Sequence, residues 1–218
     1  MANYALLVLV GLFIASLAFL VDKRLEHRSW VRPPLEPKEK SGVKAAMRYY
    51  GKEVKYYSQK YGLPSEYFMA LIMLESSGVR DPQPRFERHV YRSLKAVKEG
   101  RRHDFEGITQ KELRWLSDAQ LKKLATSYGP FQIMGYKIYH IGIADWNDLN
   151  NRNAIKYGIQ WVNKDYGWLL RQHRYKDAFH YHNTGKLYPK DGKPLTTSPN
   201  YVDRGLKYMQ IFKSLEKK

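Results

Sequence analysis

The chain has 218 residues, enough for one core of ordinary size and a tail. Its 38 Lys and Arg against 21 Asp and Glu give a formal net charge of +17, which favours polyanionic partners: nucleic acid, anionic lipid or an acidic cell wall. The absence of cysteine excludes disulfides and every Cys-based metal site or nucleophile.

Met1 to Val21 carries no charged side chain, and Ala5 to Val21 is almost wholly apolar. At about 1.5 Å per residue such a helix just spans a hydrocarbon core of roughly 30 Å. A cleaved signal peptide would have Lys or Arg before the apolar run, and a buried soluble helix would show a polar face. An uncleaved transmembrane anchor over 1–21 fits better than either. Lys23, Arg24, Arg28 and Arg32 follow it, so the positive-inside rule puts the remaining chain in the cytoplasm, a bias that large domains override. Residues 22–42, with Pro33, Pro34 and Pro37 among charges, read as a semi-extended linker.

Residues 43–218 read as one mainly α domain. Val43 to Tyr61 has helical apolar spacing and stops at Gly62, and Leu63 to Leu74 follows with Pro64 near its first turn. Thr109 with Glu112, and Ser117 with Gln120, are capping-box pairs that predict helices over Gln110–Leu116 and Asp118–Thr126. Ile155, Ile159, Val162, Tyr166 and Leu169 form the seam of one long helix. A short helix runs from Tyr175 to Tyr181 and stops near Gly185, and a last one covers Asn200 to Leu215. No alternation is long enough for a strong sheet, and Tyr188–Ser198 reads as a small hairpin or a surface loop.

Glu75 ends the apolar run Leu63–Leu74. Apolar surroundings and the negative end of a helix dipole both disfavour its ionised form, which would raise its pKa and suit a general acid. The alternative is a solvent-facing carboxylate at a helix end. Three further segments stand downstream: Tyr128-Gly129-Pro130-Phe131-Gln132-Ile133-Met134-Gly135, Tyr181-His182-Asn183-Thr184-Gly185, and Asn200-Tyr201-Val202.

Taken in order with Leu74-Glu75-Ser76-Ser77-Gly78, these segments resemble the lysozyme-like superfamily of lytic transglycosylases and goose-type lysozymes, over about residues 43–215. An insert over 79–127 lengthens the path from Glu75 to Gln132. With Arg85-Phe86-Glu87-Arg88-His89-Val90-Tyr91 it is similar to the N-acetylmuramidase branch of phage and bacterial cell-wall lysins. His182 departs from the family's aromatic Tyr, leaving Tyr181 as the substitute.

The resemblance implies a lysozyme-like helical domain with a helical insert. It implies Glu75 as the acid that protonates the bond between N-acetylmuramic acid and N-acetylglucosamine, then acts as base. A lytic transglycosylase needs no second carboxylate; a muramidase hydrolase does. Glu87 is the first candidate for it, against a salt bridge to Arg85 or Arg88, with Asp81, Asp104 and Glu106 behind it.

The resemblance makes Gln132, Tyr181, Asn183 and Tyr201 substrate-binding. The alternatives are turn bracing for Gln132, core packing for Tyr181, helix capping for Asn183 and packing beneath the acid's helix for Tyr201. His180 and His182 lack a third ligand with convincing spacing, so neither metal nor other cofactor is expected. The expected partners are peptidoglycan glycan strands and, through the anchor, a bacterial inner membrane or phage virion membrane. No nucleic-acid motif is present.

Overall fold

The computed structural model describes residues 42–215. The expected anchor over 1–21 and the linker up to residue 41 lie outside the described residues. Among those described, no helix is long and apolar enough to cross a membrane.

The domain is mainly helical, as the spacing predicts. Helix α1 (Val43–Lys60) buries Ala45, Ala46, Tyr49, Tyr50, Val54 and Tyr57 along one face, and the chain turns out of it at Gly62, φ +62°. Helix α2 (Ser65–Ser76) follows, with Pro64 at its N-cap. All seven side chains from Tyr67 to Met73 are buried, so α2 is apolar all round and sits at the centre of the core. It packs chiefly on α10 (Tyr201–Leu215) and on α1. Ser77 and Gly78 then take left-handed conformations that stop the helix, leaving Glu75 in its last turn. A Cβ on Gly78 would lie 2.7 Å from the carbonyl oxygen of Gly42, so no larger residue fits there.

The segment 79–127 is only partly helical, which corrects the expectation of a helical insert. Strand β1 (Arg85–Phe86) leads into α3 (Arg88–Lys98), then a two-stranded hairpin of β2 (Asp104–Phe105) and β3 (Ile108–Thr109). Both capping boxes form, on α4 (Gln110–Leu113) and α5 (Asp118–Leu124), though each helix ends earlier than its spacing predicts. Strands β4 (Thr126–Tyr128) and β5 (Ile133–Met134) complete an antiparallel sheet in the order β1-β4-β5, pairing Arg85 with Ser127 and Ser127 with Met134.

After β5 come a 3₁₀ turn (Gly135–Lys137), α6 (Ile138–Ile141) and a second 3₁₀ turn (Trp146–Leu149). The long seam from Ile155 is two helices, α7 (Ala154–Asp165) and α8 (Gly167–Arg171). The break falls at Tyr166, φ −137° and ψ 18°, which turns that ring fully inside. Helix α9 (Tyr175–Thr184) runs past Tyr181 and ends on left-handed Gly185, so His182 and Asn183 lie on helix. Tyr188–Ser198 is a loop without strands.

Candidate functional site

The geometry of Glu75 is set by three elements. Helix α2 brings it to the core's edge, where its side chain is 14% exposed. Helix α10 places Tyr201 against it, and the Tyr201 hydroxyl donates a short hydrogen bond to Oε1. Helix α9 places His182 Nε2 at 3.8 Å from the same oxygen. Burial pushes the Glu75 carboxyl up from the ordinary 4.5 to about 7, while the Tyr201 hydrogen bond and the Arg85 charge pull it down without cancelling that rise. Glu75 is therefore not the solvent-facing carboxylate that a helix end would also allow.

Glu75 opens onto a cleft of about 740 Å³. The same cleft is lined by Gln132, Tyr181 and Asn183, so residues from three of the four sequence segments meet there, and Tyr201 of the fourth touches Glu75. Asn183 is exposed, near the C-terminal end of α9. Tyr181 is half-buried, its ring tilted against Tyr166 at 5.4 Å.

Gln132 is more constrained. It holds a left-handed backbone, φ +48°, its Oε1 accepts from Ser127 Oγ at 2.8 Å, and its Nε2 donates to Gly129 O at 3.0 Å. The amide braces its own turn, and one N–H and one lone pair are left for a ligand. The turn is tight: a Cβ on Gly129 would stand 2.2 Å from the carbonyl oxygen of Leu149.

Glu87 lines the cleft and pairs with Arg85 at 2.7 Å and, when that ring is charged, with His89 at 3.7 Å. Glu106 also lines it, from the β2–β3 turn at φ +51°. For Glu106 burial is the largest influence and acts upward. The Lys137 charge and hydrogen bond, with smaller help from Tyr136 and His140, outweigh it and keep the carboxyl below its ordinary range. The Lys137 ammonium lies 2.7 Å from Glu106 Oε2. Asp104 pairs with His103 and caps its own hairpin turn through Gly107 N–H. Asp81 pairs with Arg80.

Sequence spacing missed Asp165 and Trp161, both in the cleft wall from the end of α7. Nothing local distinguishes Asp165 from any other polar helix-terminal residue. The indole of Trp161 is buried against the His182 ring at 5.5 Å.

His180 and His182 diverge. The His180 ring is buried, its Nδ1 donating to Lys186 O at 2.7 Å and its Nε2 accepting from Leu195 N–H at 2.9 Å, so it pins the 186–195 loop. Among the described residues no group of three His, Asp or Glu side chains is placed to hold a metal ion. No protein-family model matches the chain, and no curated protein or solved structure matches it either.

Proposed function

We propose that the chain is a peptidoglycan-cleaving enzyme that breaks the β-1,4 bond between N-acetylmuramic acid and N-acetylglucosamine, with Glu75 as general acid. The observation that carries this reading is a carboxyl held near neutral pKa by burial, gripped by Tyr201 and open to a cleft large enough for sugar rings. The order of the four segments and their convergence on one site support membership of the lysozyme-like superfamily.

In this mechanism protonated Glu75 gives its proton to the glycosidic oxygen as the bond to the muramic acid anomeric carbon breaks. The oxocarbenium-like centre left behind is then captured. Glu75, now a carboxylate, takes the proton of the capturing hydroxyl. Lytic transglycosylation, in which the sugar's own 6-hydroxyl attacks, is the reading adopted. It needs no second carboxylate, and Glu87 and Glu106 are each already paired with a cation. Hydrolysis is favoured by a different observation: Glu87, Glu106 and Asp165 all share the cleft with Glu75. An anchor over 1–21 would hold the domain at a bacterial inner membrane or phage virion membrane, facing peptidoglycan.

Mass analysis of products from purified peptidoglycan tests the reading. Transglycosylation gives 1,6-anhydro muropeptides one water lighter than hydrolytic products. Hydrolytic masses would replace the transglycosylase by a muramidase, and glycan binding without any product would reduce the chain to an inactive binding module. Tyr201→Phe supplies a further check. The lost hydrogen bond favoured the carboxylate, so its removal raises the Glu75 pKa. The basic limb of the kcat/KM profile should move to higher pH, and an unmoved or lowered limb would contradict that assignment.

A further inference from the structure

His182 plays no part in the mechanism above, yet it is an enclosed ionisable group beside Glu75, its side chain 5% exposed. Its Nδ1 lies 2.7 Å from the Tyr166 hydroxyl. The Tyr67 hydroxyl reaches both Ala178 O, at 3.2 Å, and Tyr166 Oη, at 3.3 Å. With Tyr67 donating into this pair of acceptors, the Tyr166 proton is directed to His182 Nδ1. The imidazole proton is then on Nε2, the nitrogen that faces Glu75 Oε1.

Oε1 of Glu75 thus faces two donors, the Tyr201 hydroxyl and His182 Nε2–H. Oε2 receives no hydrogen bond from the described residues. We propose that His182, oriented by Tyr166, is a positioning residue that with Tyr201 keeps Glu75 Oε1 free of the proton, so that the transferable proton resides on Oε2. At 3.8 Å the Nε2–H is not yet a hydrogen bond. Loss of the proton from Oε2 leaves a carboxylate that draws Nε2–H into a charge-assisted contact. The imidazole itself neither gains nor loses a proton in this step.

The surroundings keep the imidazole neutral. Burial drives its pKa down from 6.5 to about 4, the Phe131 carbonyl opposes this and the Lys137 charge adds to it. Trp161 and Tyr166 pack edge-on against the ring. The other polar or charged groups facing Glu75 are Tyr201 from α10, Tyr67 from α2 and Arg85 from β1. None of them duplicates the Nε2–H.

This inference rests on Glu75 as the general acid, but its test does not. The full-length protein is labelled with carboxyl-¹³C glutamate, the Glu75 signal is identified by its loss in Glu75→Gln, and its midpoint is titrated without glycan. His182→Phe removes the Nε2–H and should raise the midpoint by about one pH unit, while His182→Gln, which returns an N–H near that position, should restore it. On glycan, His182→Phe should lower kcat about tenfold with KM unmoved. An unchanged midpoint in His182→Phe, or failure of His182→Gln to restore it, overturns the proposal. Should His182→Phe not fold, Tyr166→Phe releases the imidazole orientation and should move the midpoint upward by less. No movement there also overturns it. A shifted midpoint in a protein that cleaves no glycan would leave the coupling standing and remove the proposed function instead.

Discussion

Glu75→Gln should melt higher than the wild type at pH 8 and equal to it near pH 4.5. The wild-type carboxyl has a folded pKa of about 7 against an ordinary 4.5, so the native state binds the proton more tightly than the unfolded chain. The stability linked to that proton is fully present below 4.5 and is lost as the pH rises through 7. Gln keeps the shape and an acceptor for Tyr201 but never ionises. The advantage at pH 8 amounts to about 3 kcal/mol, or roughly 8 °C in Tm for a domain of this size. His182 is present in both proteins and cancels. Thermal unfolding followed by circular dichroism at pH 8, 6 and 4.5 checks this. A variant no more stable than wild type at pH 8 would mean that the carboxyl is not held near neutrality.

The second large effect belongs to Phe131. Its ring is buried against Phe68, with centroids 5.9 Å apart, and lies so close over α7 that a Cβ on Gly158 would come within 2.2 Å of it. Phe131→Ala leaves a cavity between that helix and the β4–β5 turn and should cost about 4 kcal/mol in urea unfolding. Gly158→Ala pushes into the same space from the other side and should cost about 2 kcal/mol alone. In the Phe131→Ala background the added methyl should cost almost nothing, because its obstacle is gone. A double-mutant cycle reads this as a coupling, and strict additivity would contradict the contact. Gln132 is the next residue and Phe131's carbonyl meets His182, so the site loosens with the core.

Much of the helical frame was legible because its signals are local. The Thr109–Glu112 and Ser117–Gln120 boxes need only a four-residue window, and both form. The strands were illegible for the opposite reason: of two or three residues each, they carry no alternation and exist only through partners 40 to 42 residues away or across a single turn. The break between α7 and α8 was hidden as well. Tyr166 and Leu169 continue the apolar seam, and the backbone turns at Tyr166 where that hydroxyl meets Tyr67 and His182. Within the site, Glu75 stood out because an apolar helix ends on it. The contact of Gln132 with its own turn, the pairing of Glu87 with Arg85 and the position of Asp165 in the cleft wall are tertiary facts that no spacing carries.

The most direct measurement is release of soluble muropeptides from purified peptidoglycan by full-length wild type and Glu75→Gln side by side at pH 6, where the wild-type acid is mostly protonated. The expected result is release by the wild type and a loss of about 10³-fold in the variant. Equal release by both proteins, or none by either, would contradict Glu75 as the acid of a peptidoglycan-cleaving enzyme.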